Sequence, residues 1–489
     1  MTRSRLSVSL VTVLALAACT IDQSGPVSPI ASTRAVRSVS GSAASRYLVL
    51  ASNSGFSSDF EASVAALGGT IEQFHGSAGI AVVSGVSDAT AAQIAALRGV
   101  SDVQPDADIS LNAPLAAATA DVTAVGDPSI SSVGNPATAG LYSWQWNMRA
   151  IHANQAWAGG KLGSSTVTVA IIDTGIDYDD PDLNGLVDLS RSVSFVPSDD
   201  AITAHFFPTR NPITDYNGHG TNVAAQVSSK AVVFAGVTSK TTLIGVKVIG
   251  FSGSGSFSAI LNGVLWAADH GANVANMSLG GAFAKAGNGR FAALLNRVFN
   301  YANKKGMLIV VAAGNESADL DHDGNSDQTF CSQSHVICVS ATGPVTAAGN
   351  VDLPAYYTNF GRSAISVAGP GGNADAANGF PVSLWPWGPD IASWVWSFCS
   401  KTTLAVVTPA GIPVLAGCQA GNRITGFIGT SQATPHVAGL AASLMAEQGT
   451  GQPSQIKNAI EKSADDLGQP GTDPFYGRGR INVAKAFGM

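Results

Sequence analysis

The chain of 489 residues is poor in charge. Asp, Glu, Lys and Arg make up 12% of it, about half the ~25% of ordinary soluble domains. With 45% hydrophobic residues, such a chain is not disordered. It is not a coiled coil either, because heptads need Glu, Lys and Arg. The net charge is −7, and no stripe of Lys and Arg exists to neutralise phosphates, so nucleic acid is not expected as a partner. Long apolar runs are also missing, and no helix of the ~20 apolar residues needed to cross a membrane is expected. Cysteine is scarce, at 5 residues. None sits in a C-x-x-C pair, which argues against a zinc site. Glycine, in contrast, is plentiful at 54 residues, roughly 11% against an ordinary ~7%. The length allows about three domains and a sizeable core that needs no metal or disulfide scaffold to fold.

The first 19 residues read as an export signal. Arg3 and Arg5 precede an apolar run from Leu6 to Ala18, too short to span a membrane but suited to a signal peptide. The run ends Leu16-Ala17-Ala18-Cys19, which resembles a bacterial lipoprotein signal with Cys19 as the lipidated residue. Residues 20–44, rich in Ser, Pro, Thr and Ala, are expected to form a flexible tether. Four cysteines remain, and export favours disulfides. Proximity in the chain suggests Cys331 with Cys338, and Cys399 with Cys418, each worth roughly 2–4 kcal/mol.

Residues 45–111 follow a strand, helix, strand, strand, helix, strand pattern, a ferredoxin-like α+β order shared by many unrelated small domains. Tyr47 to Leu50 is an apolar strand. Ser58 to Glu61 forms a capping box before the first helix, and Ser87 can cap the second. Residues 112–140 have the composition of a linker, where proteolysis concentrates. Beyond them, runs such as Val167 to Ile172, Leu243 to Ile249, Asn273 to Leu279, Met307 to Ala312 and His335 to Ala341 alternate with helical patterns at Ser258 to His270 and Phe291 to Lys304. This alternation implies an α/β domain with a mostly parallel sheet flanked by helices. Reactive groups then gather at the carboxyl ends of its strands.

Three motifs carry chemistry. Asp173 ends the buried run V-T-V-A-I-I-D-T-G-I. His219 stands between two glycines in Y-N-G-H-G-T-N-V-A. Ser431 opens a helix in G-T-S-Q-A-T-P-H-V-A-G. Singly, each is as well explained by a cap, a turn or a core residue. A lone D-T-G at Asp173 does not make an aspartic protease, which needs two such carboxylates. His436 shares the helix of Ser431 and is read as structural. Together, in the order Asp, His, Ser, the motifs resemble those of the subtilisin-like serine proteases, over about residues 141–489.

That resemblance implies a serine endopeptidase. Ser431 would be the nucleophile, His219 its base and Asp173 the group that orients and stabilises the imidazole. Asn315, in V-V-A-A-G-N-E, matches the family's oxyanion asparagine, with the Ser431 backbone N–H as second donor. Ser278, Leu279 and Gly280 match one wall of the specificity pocket, and Ala312, Ala313 and Gly314 the other. Such small, uncharged walls suit a large apolar side chain before the cleaved bond. Residues 45–111 then resemble the family's propeptide, an intramolecular chaperone and inhibitor, with processing after about Leu111. Such a cut would release the protease from a Cys19 anchor, so the protein is expected to be secreted or lipid-anchored outside a bacterial cell. Its partners are protein or peptide substrates and its own propeptide, and it is expected to act as a monomer.

No cofactor is needed for this catalysis. A structural calcium ion is the one metal expected, at Asp319, Asp321, Asp323, Asn325 and Asp327, which fit the first part of a calcium loop but lack its closing Glu. The chain departs from the family at Gln432, where methionine is usual, and at Asn222, where histidine is common. It also carries an insertion over about residues 371–422 with Trp385, Trp387, Trp394 and Trp396. The rival class is a catalytically idle, envelope-tethered binding protein on the same scaffold, disfavoured by the intact Asp173, His219, Ser431 and Asn315.

Overall fold

The structure, a computed structural model, describes residues 45–111, 116–121, 131–280, 283–284, 289–322, 324, 326–327, 330–345, 349–374, 393–408, 411–415, 423–449 and 451–489. The expected signal and Cys19 lie outside these residues.

Residues 45–105 form β1 (Ser45–Ala51), α1 (Phe60–Ala66), β2 (Thr70–His75), β3 (Ile80–Val86), α2 (Asp88–Ala95) and β4 (Val100–Pro105). The strands make one antiparallel sheet in the order β2-β3-β1-β4. Side chains alternate across β1, as a strand requires. Tyr47 and Val49 cluster with Phe60, Val64 and Ile94 of the domain's own helices. Leu48 and Leu50 cluster instead with Ile260, Leu294 and Val298, far along the chain. The apolar run from Tyr47 to Leu50 is therefore unbroken because both faces are covered. Burying each of these leucines is worth about 2 kcal/mol. Ser87 caps α2 by accepting the Thr90 N–H at 3.2 Å. The expected capping box at Ser58 is not formed. Asp59 occupies the N-cap of α1 and its side chain makes no capping bond.

The chain continues through β5 (Asp108–Ser110) and β6 (Ala116–Asp121). Here the expectation of an open linker over 112–140 is corrected. Residues 116–121 form a strand, and Pro136 and Ala139 are buried against the following domain. Their sequence shows no strand periodicity, and the partner edge imposes the conformation.

The large domain comprises α3 (Trp146–Ala150), α4 (Ala153–Ala158), β7 (Thr168–Asp173), β8 (Val193–Ser194), α5 (Pro197–Phe206), α6 (His219–Val227), β9 (Thr242–Lys247), β10 (Ser254–Ser256), α7 (Phe257–Asp269), β11 (Val274–Met277), β12 (Phe283–Ala284), α8 (Gly289–Lys304), β13 (Leu308–Ala312), β14 (Ser326–Asp327), β15 (Val336–Thr342), β16 (Val367–Pro370), β17 (Val395–Phe398), β18 (Leu404–Val407), β19 (Pro413–Leu415), β20 (Arg423–Ile428), α9 (Thr430–Gln448), α10 (Pro453–Ser463) and α11 (Val483–Ala486). Seven strands form a sheet in the order β16-β15-β13-β11-β7-β9-β8, and every neighbouring pair is parallel. All residues of β7 are buried, as expected of a strand with helices on both faces. The fold is α/β. A separate antiparallel sheet, β17-β20-β6, leads directly into α9.

Cys331 and Cys338 form a disulfide with a Cα–Cα distance of 5.1 Å. Cys399 is disulfide-bonded as well, while Cys418 lies outside the described residues. Trp394 and Trp396 of the insertion are core residues, buried beside Trp144 and Trp146. Trp385 and Trp387 lie outside the described residues. Among the described residues no helix is long and apolar enough to cross a membrane.

Candidate active site

The three motifs meet at the carboxyl end of the parallel sheet, where its topology leaves a crevice. Asp173 is the last residue of β7 and is fully buried. Its Oδ1 lies 2.7 Å from His219 Nδ1, so the ring proton on Nδ1 points at the carboxylate. His219 opens α6. Gly220 follows it because an added Cβ would collide with the Gly175 carbonyl, and only glycine lets the helix approach the turn after Asp173 so closely. Burial works against a charge on His219. The Asp173 carboxylate and its hydrogen bond, with Asp215 beyond, outweigh burial and raise the imidazole pKa above its ordinary value.

Ser431 lies in the first turn of α9, and its N–H is one of the helix-start amides without an intrahelical acceptor. Its Oγ donates to the Ser278 carbonyl at 3.0 Å, and the Ser278 hydroxyl returns a bond to the Ser431 carbonyl at 2.7 Å. Among the described residues no hydrogen bond joins Ser431 Oγ to His219. Such bonds are commonly long without substrate and tighten in the reacting complex. The loop after β11 is thus pinned to the start of α9, which sets Ser278, Leu279 and Gly280 beside the serine.

Asn315 follows β13. Its Oδ1 accepts both the Thr430 N–H and the Thr430 hydroxyl, each at 2.9 Å. That assigns the amide orientation and leaves Nδ2, with no partner among the described residues, as a donor beside Ser431. Ala312 and Ala313 are buried, and Gly314 adopts φ +100°, where a Cβ would collide with Asn359. A serine, an imidazole, a carboxylate and two N–H donors in this arrangement can carry out acyl transfer.

Several supporting residues escaped the sequence reading. Asp215 is fully buried and accepts from the Thr174 hydroxyl, the Asn217 and Gly218 N–H groups, and both the N–H and hydroxyl of Thr221. It ties the turn after Asp173 to the loop before His219. Its place four residues before His219, in a loop that needs a carboxylate acceptor, was the available signal. Asn359 accepts the N–H groups of Glu316 and Ala318 and donates to the Ala313 carbonyl, bracing the Asn315 loop from a distant segment. Nothing in the sequence pointed to it. Lys247 is fully buried and ion-paired with Asp199 at 2.8 Å. Asp199 in turn accepts the Phe251 N–H, and so holds the loop leading into β10.

One expectation changes. The walls at Ala312–Gly314 are not remote from charge, because the Glu316 carboxylate accepts from Asn315 N–H and Asn359 Nδ2 directly behind Gly314. Of the expected calcium ligands, Asp319 and Asp321 are the two whose side chains are among the described residues. Asp319 accepts the Asp321 N–H and contacts His322, and Asp321 accepts the Ser363 N–H and hydroxyl. No group of carboxylates and imidazoles among the described residues could hold a metal ion. Asp323, Asn325 and the Asp327 side chain lie outside them.

The departures at positions 222 and 432 touch one another. Gln432 Nε2 lies 3.5 Å from Asn222 Oδ1, and Asn222 Nδ2 donates to Ser397. The pair joins the helix of His219 to the helix of Ser431. His436 Nδ1 meets the Gln432 carbonyl and Nε2 meets Asn147. Burial lowers its pKa to about 4, which keeps it neutral.

Residues 164–479 match the model of the subtilase family. Thermitase from Thermoactinomyces vulgaris is 32% identical over 348 residues, covering 70% of this chain and 96% of thermitase. Subtilisin E from Bacillus subtilis is 31% identical over 379 residues, covering 76% of this chain and 80% of the relative. Among solved structures, the epidermin leader peptide processing serine protease from Staphylococcus aureus has a similar fold, with a TM-score of 0.71 at 20% identity over 92% of this chain and 99% of that one.

Proposed function

Because the chain belongs to the subtilase family of serine endopeptidases, we propose that it cleaves peptide bonds through an acyl-enzyme on Ser431 and is made as an exported proprotein that processes itself. His219 takes the Ser431 proton as the hydroxyl attacks the carbonyl carbon. Asp173 keeps the imidazole in the tautomer that can accept it and stabilises the imidazolium that forms. Asn315 Nδ2 and the Ser431 N–H receive the oxyanion. The proton then passes from His219 to the leaving amine, and water enters by the same route to free the acid. The carrying observation is the 2.7 Å Asp173–His219 bond together with an Asn315 amide turned by Thr430 toward the start of the Ser431 helix. Asn315→Ala is expected to lower kcat by about 10²–10³ with KM little changed, a magnitude that is subtilisin's own. Steady-state kinetics on a peptide anilide check it.

Residues 45–111 act as the propeptide. β5 pairs antiparallel with β10, and the Leu111 N–H donates to the Gly253 carbonyl at 2.7 Å, the manner in which an extended substrate binds a sheet edge. Ile109 is buried in the large-domain core. The cut then falls after Leu111 and before Ala116. Ser278 to Gly280 and Ala312 to Gly314 form the pocket for the side chain before that bond. A signal over residues 1–19 exports the chain, and Cys19 is its point of lipid attachment until the cut separates the two parts.

The propeptide also caps the large domain. Asp106 accepts the Ser258 N–H and hydroxyl at the start of α7 and pairs with Arg46. Burial raises its pKa, and the Ser258 bonds and Arg46 pull it back. Asp106→Ala removes this cap, worth about 1 kcal/mol, and is expected to speed release of the propeptide several-fold after processing. Appearance of activity over time in the two proteins measures it.

The reading as a whole is tested by expressing the full chain under oxidising conditions. Mass spectrometry should find a mature N-terminus between residues 112 and 116, and the product should hydrolyse casein. A chain that stays at full length and leaves casein intact would overturn the proposal.

A further inference from the structure

The Cys331–Cys338 disulfide lies against the wall of the proposed pocket. Ala313 N–H donates to the Val339 carbonyl, so the peptide groups of Ala313 face β15. Those of successive strand residues face opposite neighbours, and the Ala312 carbonyl therefore points toward β11. Pairing of β11 with β13 stops at Met277 and Val311. Ser278 to Gly280 then leave the strand, tied to Ser431 through Ser278. The Ala312 carbonyl thus faces the slot between the two proposed pocket walls, and the Cys331 sulfur rests 3.7 Å from its oxygen. Leu279 of one wall, Ala313 of the other, Phe330, Cys331 and Cys338 belong to one buried cluster. The turn that carries Cys331 is held firmly. Phe330 packs edge-on against Phe299 of α8, and the Ser334 N–H and hydroxyl both donate to Asn296 of the same helix. The disulfide fastens Cys331 to β15, an interior strand between β13 and β16.

We infer that this disulfide is the closed end of the pocket for the side chain before the cleaved bond, and that it restricts that side chain to small and medium aliphatic groups. The inference rests on the endopeptidase reading above. The small walls leave the slot wide, and the sulfur limits its depth. A free side chain at the floor could change rotamer to admit a longer guest. A cysteine bonded to the sheet interior cannot, so an aromatic ring meets an unyielding surface and overpacks it. One methylene more or less in an apolar pocket changes discrimination by about 10–200-fold, so a floor set by one sulfur is enough to exclude a ring. The chain's own proposed cut agrees. The residues that can precede it are Leu111, Asn112, Ala113, Pro114 and Leu115, and none is aromatic. The large apolar side chain expected from the walls alone is thereby narrowed to one no longer than leucine.

The test uses the full chain after self-processing and three nitroanilides, succinyl-Ala-Ala-Pro-X with X as Ala, Leu or Phe. In the wild type, kcat/KM for Phe should lie about tenfold or more below that for Leu. In Cys331→Ala/Cys338→Ala the floor recedes, and the ratio of kcat/KM for Phe to that for Ala should rise about tenfold. Cys338→Ala alone keeps the Cys331 sulfur as a thiol, and serves where the double variant does not fold. Methyl methanethiosulfonate adds one S–CH₃ group to that thiol and releases methanesulfinate. The raised floor should lower the ratio of kcat/KM for Leu to that for Ala about tenfold, while the disulfide-bonded wild type is unaffected by the reagent. A wild type that prefers Phe, a double variant that changes all three substrates by one factor, or a methylthiolated thiol that leaves the Leu to Ala ratio unmoved would overturn the inference and leave the endopeptidase reading standing. If the wild type cleaves none of the three, both readings fall.

Discussion

Ser431→Ala should leave the chain at its full, unprocessed length and without measurable hydrolysis of casein. The proposed reaction begins with the Ser431 hydroxyl. The fold should survive the change. Alanine is the best helix former, and among the described residues the lost hydroxyl makes one hydrogen bond, to the Ser278 carbonyl at 3.0 Å. Far-ultraviolet circular dichroism and the thermal midpoint should therefore stay close to wild type, separating loss of chemistry from loss of structure. The expected fall in kcat is about 10⁶, a magnitude that is subtilisin's own. A variant that still processes itself would remove Ser431 from the role of nucleophile.

Asp173→Asn should have the next largest effect, about 10⁴ in kcat by analogy with the trypsin-type triad. An asparagine can present its NH₂ to His219 Nδ1. The imidazole then carries its proton on Nε2 and cannot accept one from Ser431. The substitution also has a signature in pH. His219 acts only when neutral, so activity falls as pH drops through the pKa of the folded imidazole. Burial lowers that pKa, and the Asp173 charge and hydrogen bond raise it further than burial lowers it. The acid limb of kcat/KM in the wild type should therefore lie above the ordinary histidine value of 6.5. In Asp173→Asn the opposing carboxylate is gone while burial remains, so the limb should move to lower pH. An unmoved limb would show that His219 is not the group being titrated.

Much of the framework was legible because apolar pattern and chain punctuation act locally. Strands β7, β9, β11, β13 and β15 fall within one or two residues of the runs that predict them, since a strand covered on both faces must be continuously apolar. The small domain was legible for the same reason. What escaped notice was held by distant partners. Asn359 braces the Asn315 loop from 44 positions away in the chain, and nothing near it differs from an ordinary loop asparagine. β6 is Ala-rich and aperiodic, and becomes a strand because β20 offers it an edge. The spacing of Asp319 and Asp321 suits a metal loop, yet their oxygens are directed to backbone and to Ser363.

The sequence by itself determined the alternating architecture and the order of the three side chains proposed to react, because strand and helix periods and short glycine-flanked motifs are written along the chain. Only the tertiary structure decided what surrounds them. It turned the Asn315 amide through Thr430, buried Asp215 between two loops, paired Asn222 with Gln432 and laid residues 116–121 on β20. Each of these depends on which groups meet after folding. A buried donor or acceptor must find a partner wherever the fold provides one, and the sequence does not say where that will be.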